Sequence, residues 1–219
     1  MRPSIDRLLA EELRTDGAVI ERTLSVAREE LARHRPVRRW RTQATWVFAA
    51  SAGLTAVVAG VLLVLGRTSG AFLLSRAPLL ALLWATSAVC AWGALSPRGR
   101  TLEPWGVMMA LASAVSLVLA RGPAVEVPTL PGWVCTASHV GVALIPLVVA
   151  VAVLRGAAFR PLRALLAGLS VGTTGAFVGE LACTQSWQHV LGYHLSAWAI
   201  AAAATLVVSM SLKPRSFAP

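Results

Sequence analysis

Beyond residue 45 this 219-residue chain has only three carboxylates, Glu103, Glu126 and Glu180, and that scarcity limits its possible folds more than any motif does. Helices of a water-soluble protein need a polar face opposite their apolar stripe, and this stretch cannot supply one on every helix. Charged residues are 14% of the chain, and its mean hydropathy is +0.67. The other acids, Asp6, Glu11, Glu12, Asp16, Glu21, Glu29 and Glu30, all precede residue 45. The sequence therefore divides into a polar, arginine-rich segment, 1–45, and an apolar domain, 46–219. An effector acting in water belongs in the first, and a sensor in or across a bilayer belongs in the second.

A bilayer core takes about 20 apolar residues per helix. Six such runs are present, at about 46–65, 77–95, 104–120, 132–154, 161–182 and 190–212. Their short connections hold the helix breakers Gly66, Gly70, Pro97, Gly99, Pro123, Pro128, Pro131, Gly156 and Pro161. The expected fold is all-α: a polytopic integral membrane protein with six transmembrane helices behind a short helical segment. No cleavable signal peptide is expected, because the chain opens on a polar stretch and its first apolar run is full length.

The basic residues set an orientation. Arg98, Arg100, Arg155, Arg160, Arg163, Lys213 and Arg215 share a side with the arginines of the first segment, whereas Arg67, Arg76 and Arg121 face the other. By the positive-inside rule both termini are expected in the cytoplasm of a bacterial inner membrane. The formal net charge of +10 then reads as a topology signal and a contact with anionic membrane lipids, with no direct nucleic-acid role.

In the first segment, Ser4 is a candidate N-cap, and Leu8, Leu9 and Leu13 follow on one helical face. Thr15-Asp16-Gly17 interrupts that pattern. Ile20, Leu24, Ala27 and Leu31 then form a second apolar stripe, which Pro36 ends. Helices this short cannot build a core alone, so the stripes need a partner. Interfacial helices usually carry basic polar faces, whereas these alternate Glu and Arg, which favours a protein partner over a lipid surface. The cluster Arg33, Arg35, Arg38, Arg39 and Arg41 reads as a juxtamembrane stop, with Trp40 and Trp46 at headgroup level.

The remaining polar residues gather near the other boundary. Cys135 and His139 are four apart at the start of the fourth run, so they share a helix face. Cys183 ends the fifth run, His189 and His194 open the sixth, and Glu180 lies one turn before Cys183. Thiolate and imidazole suit a soft ion such as zinc or copper. In an oxidising compartment Cys135 and Cys183 can instead form a disulfide. A third reading makes the cysteines small apolar residues and the histidines interfacial ones. Glu180 weighs against the third, because a carboxylate in a membrane helix is costly and marks function by default. Cys90 reads as packing, as do Gly168, Gly172, Gly175 and Gly179, whose four-residue steps admit a close neighbour. Pro146 is expected to kink the fourth run.

Several of these residues carry a family resemblance. Gly132-Trp133-Val134-Cys135 with Ser138-His139, then Arg155-Gly156 and Pro161, resembles the six-helix membrane anti-sigma factors of the NrsF type. So does the glycine-stepped fifth run ending in Cys183, with His194 and Trp198 beyond it. The likeness covers essentially the whole chain, is most specific over residues 131–200, and is strongest toward members that repress light-induced carotenoid synthesis. It implies a non-enzymatic regulator that holds an extracytoplasmic-function (ECF) sigma factor at the membrane until a stress or light signal arrives. A regulatory protease or an upstream membrane protein would then take part in release. It also implies that Cys135 and Cys183 match a cysteine pair linked to metal or oxidative sensing. In this setting Leu8, Leu9, Leu13, Ile20, Leu24 and Leu31 become the sigma-binding stripe. Two rivals remain: a membrane redox, haem-binding or metal-binding protein using His139, His189 and His194, and a small transporter. Neither accounts for an amphipathic segment that needs a partner.

Overall fold

The computed structural model describes residues 17–33, 40–97, 99–122, 131–156 and 159–212. The described residues form helices and no strand. They divide into two compact units, residues 1–38 and 39–219.

In the first unit a single helix is described, α1 (Gly17–Arg33). It carries the Ile20–Leu31 stripe, with Ile20 and Leu24 each 48% exposed. Leu8, Leu9 and Leu13 lie outside the described residues.

The second unit is a bundle of six helices long and apolar enough to cross a membrane. These are α2 (Trp40–Val64), α3 (Gly70–Leu95), α4 (Gly99–Leu119), α5 (Gly132–Leu154), α6 (Pro161–Ala182) and α7 (Trp187–Ser211). The chain is thus a polytopic all-α membrane protein. The fourth and fifth runs match α5 and α6 end for end. The others start earlier than the apolar pattern suggests: α2 at Trp40 rather than about 46, α3 at Gly70 rather than about 77, and α7 at Trp187 rather than about 190. Polar residues at these starts have local or tertiary partners, so they extend the helix without being apolar. Thr45 Oγ1 donates to the Arg41 carbonyl at 2.9 Å, and Ser69 caps α3 by accepting from the Phe72 N–H at 3.2 Å. Pro146 is buried inside α5, whose helical run continues past it to Leu154.

Helix α6 is the hub, packing against α2, α3, α4, α5 and α7. Of its membrane span 83% is buried, against 17% for α2. Small residues permit that position. An added Cβ on Gly168 would lie closer than 3.0 Å to Ala202 Cα of α7, and one on Gly172 would strike the Trp198 ring just as closely. Trp198 lies over α6 and donates its indole N–H to the Leu169 carbonyl at 2.7 Å. Buried hydroxyls add cross-links: Ser170 Oγ donates to the Ser87 carbonyl at 2.8 Å, joining α6 to α3, and Thr86 and Ser113 share a hydrogen bond at 2.7 Å, joining α3 to α4. Bonds of this kind are worth about 0.6 kcal/mol each inside a membrane protein, so they align helices more than they hold them together. Cys90 belongs to this packing: it is fully buried, with its thiol 3.4 Å from the Gly106 carbonyl.

Candidate functional site

The end of α6 and the starts of α5 and α7 build one polar cluster. Cys183 closes α6, its N–H bonded to the Gly179 carbonyl at 3.0 Å. Its sulfur, that of Cys135 on α5, and one nitrogen each from His189 and His194 on α7 lie within 4.8 Å of one another. Cys135, Cys183 and His189 are half-buried, and His194 is 2% exposed.

Local backbone geometry explains how two histidines of one helix reach the same place. His189 and His194 are five residues apart, which on a regular α-helix leaves them about 140° apart around the axis. Here α7 widens into a π turn over Val190–His194, and the Leu195 N–H bonds back to the Val190 carbonyl. That wide turn swings the two rings together, with centroids 5.3 Å apart. Tyr193, in the same turn, rests 4.9 Å from the His189 ring.

His139 stands beside the four-residue group rather than in it. It is 5% exposed, and its ring centroid lies 4.3 Å from that of His194. Its Nδ1–H donates to the Cys135 carbonyl one turn earlier, which leaves Nε2 as the lone-pair nitrogen of the neutral ring. The room for both rings comes from α6. A Cβ on Gly179 would come closer than 3.0 Å to His139 Nε2, to His194 Nδ1 and to His194 Cε1. An added Cβ on Gly175 would come closer than 3.0 Å to His139 Cβ. The glycine steps therefore do two jobs, letting α7 approach near Gly168 and Gly172 and housing imidazoles near Gly175 and Gly179.

Glu180 has a different role from its sequence neighbours. It is 1% exposed and accepts from Arg121 at 2.7 Å, with Arg76 Nε 3.3 Å from its other oxygen. Arg121 also donates to the Cys183 carbonyl, and Arg76 to the Ala120 carbonyl at 3.1 Å. This ion triad ties α3, the end of α4 and α6 together and holds the backbone of Cys183. Glu180 is thus paired with two arginines next to the thiol–imidazole group. Its two partners were legible only as rare arginines on the arginine-poor side; the pairing itself is not written in any local pattern.

Three buried imidazole nitrogens, Nε2 of His139, His189 and His194, have no hydrogen-bond partner among the described residues. Leaving a polar atom unpaired in a protein interior costs about 1–3 kcal/mol, so a cluster of them is worth explaining. Chemically, the group offers two soft sulfurs and imidazole nitrogens with free lone pairs at one point near a helix-bundle end.

Comparison with known proteins places the chain firmly. It is 58% identical to the carotenogenesis protein CarR of Myxococcus xanthus over 221 aligned residues, covering 100% of both chains. The chain belongs to the CarR family. No family model matches it, and no solved structure matches it.

Proposed function

We propose that this protein is a membrane-bound anti-sigma factor that keeps an ECF-type sigma factor inactive and so represses genes such as those of carotenoid synthesis. The observation that carries the reading is α1, a helix with an apolar stripe exposed at Ile20 and Leu24 in a unit distinct from the membrane bundle. A stripe of that spacing suits a helix-in-groove contact, and the Glu and Arg residues around it suit partner selection by charge. The relative's carotenogenesis role supports carotenoid genes as the target. Both termini then face the cytoplasm of the inner membrane, and the thiol–imidazole end faces outward. A signal there, light or oxidative stress, biases the packing of α5, α6 and α7 and ends the hold on the sigma factor, either directly or by exposing the protein to a regulatory protease. No step requires catalysis by this chain or a direct contact with DNA.

The test is a Leu24→Asp/Leu31→Asp double variant of the full-length protein. Expected are constitutive expression of the sigma factor's genes at an unchanged membrane level of the variant, and loss of co-purification with the sigma factor. Retained repression by that variant would remove α1 from the mechanism.

A further inference from the structure

The four side chains that meet at the end of α6 make a more specific site than a reactive thiol pair. A tetrahedral zinc site with Zn–S near 2.3 Å and Zn–N near 2.0–2.1 Å separates its ligand atoms by roughly 3.3–3.8 Å. The sulfurs of Cys135 and Cys183 and the nitrogens of His189 and His194 lie within 4.8 Å of one another, at most about 1.5 Å beyond that spacing. A disulfide would use the two sulfurs and leave the imidazoles without a purpose. His194 is 2% exposed and its Nε2 is buried with no hydrogen-bond partner among the described residues, and the Nε2 of the half-buried His189 is likewise buried and without one there. Nor would simple packing call for a π turn that brings both rings to one side.

We propose that Cys135, Cys183, His189 and His194 form a closed tetrahedral site for Zn2+, bound by two thiolates and two neutral imidazoles. Binding releases the two thiol protons to solvent, so the dication is neutralised by its own ligands. Arg121, the buried cation next to the site among the described residues, is balanced by Glu180 at 2.7 Å and does not oppose the metal. Two further groups act as positioning residues. His139 holds the Cys135 carbonyl and lies against His194, and Arg121 holds the Cys183 carbonyl, so each ligand-bearing backbone is fixed from behind. The metal would join α5, α6 and α7, the last three spans of the chain. The site stands independently of the anti-sigma reading.

The experiment uses full-length protein purified in detergent under reducing conditions, stripped with chelator and titrated with Co2+ and then Zn2+. Expected are the intense visible bands of tetrahedral cobalt and a thiolate-to-cobalt charge-transfer band, saturating at one ion per chain and bleached by Zn2+. Cys135→Ser and His189→Ala each weaken binding by more than the roughly 10–100-fold that loss of a supporting partner costs, whereas His139→Ala stays within that range. Cys90→Ser leaves affinity unchanged. His189 is half-buried at the start of its helix, so its replacement tests the ligand without emptying the core. A pale octahedral spectrum, or a thiolate band that survives in the Cys135→Ser/Cys183→Ser double variant, would overturn the site. So would finding Cys135 and Cys183 joined as a disulfide when cells are quenched with an alkylating reagent. None of these readouts involves a sigma factor, so failure here and failure of the proposed regulatory role are separable.

Discussion

Two buried carboxylates mark opposite ends of α6, and their surroundings differ in kind. At one end Glu103, 4% exposed at the start of α4, meets Arg160 at 3.1 Å, while Arg163 donates to the Ser96 carbonyl at 2.9 Å. Arg160 is 35% exposed, so this pair is half in solvent or headgroups. At the other end Glu180 is held by two arginines, Arg76 on α3 and Arg121 just past the end of α4, and Arg121 is only 6% exposed. Beside it sit two thiols, and three imidazole nitrogens that have no hydrogen-bond partner among the described residues. Both ends are clamped by ion pairs, but among the described residues the thiol–imidazole group lies at the Glu180 end. That group, rather than the presence of a buried charge, separates a candidate sensing end from a structural one.

The sharpest way to break this comparison is to remove Arg121. Removing one partner of a buried ion pair costs about 3–5 kcal/mol, and the low end applies because Arg76 stays near Glu180. Arg121→Ala should therefore lower stability by about 3 kcal/mol in chemical unfolding from mixed micelles. A loss well below 1 kcal/mol would show that Glu180 does not need its partner. Gly179→Ala comes next. The new methyl meets both His139 and His194, and overpacking of this kind costs about 1–3 kcal/mol. Its more telling effect is on the cluster, where the rate of thiol labelling at Cys135 and Cys183 should change; an unaltered rate would mean that the rings do not depend on the glycine. The smallest effect is expected from Arg160→Ala, below that of Arg121→Ala, because Arg160 is 35% exposed and its charge is partly screened even though Glu103 is buried. Equal losses for Arg160→Ala and Arg121→Ala would erase the distinction between the two ends.

Much of this architecture is legible in the sequence because a bilayer imposes one strong rule, sustained apolarity. Residues 132–154 and 161–182 follow it at both ends, and α5 and α6 fall on those limits. The rule fails where a polar residue has a partner. Arg76 looks like the end of a loop, yet it lies inside α3 because Glu180 of α6 receives it. The site was half legible for a related reason. Cys135 with His139, one turn apart on a helix, is a local pattern and can be read directly. The approach of His189 and His194 depends on a π turn, which no spacing rule for regular helices anticipates. The packing role of the glycines was evident from their steps, whereas their role in housing imidazoles required knowing which neighbour lies against each one.

The central place of α6 also bears on how the protein is made. This span holds four glycines, several hydroxyls and a carboxylate near its end, so it is a poor candidate to settle in lipid alone. Of the helices it contacts, α2, α3, α4 and α5 precede it in the chain, and α7 alone follows. When α6 leaves the insertion machinery, the surfaces that cover its polar groups are already in the membrane, including Ser87 for Ser170 and both arginines for Glu180. Synthesis order thus shields the least lipid-compatible span, and the last helix to arrive, α7, delivers the two histidines that complete the cluster.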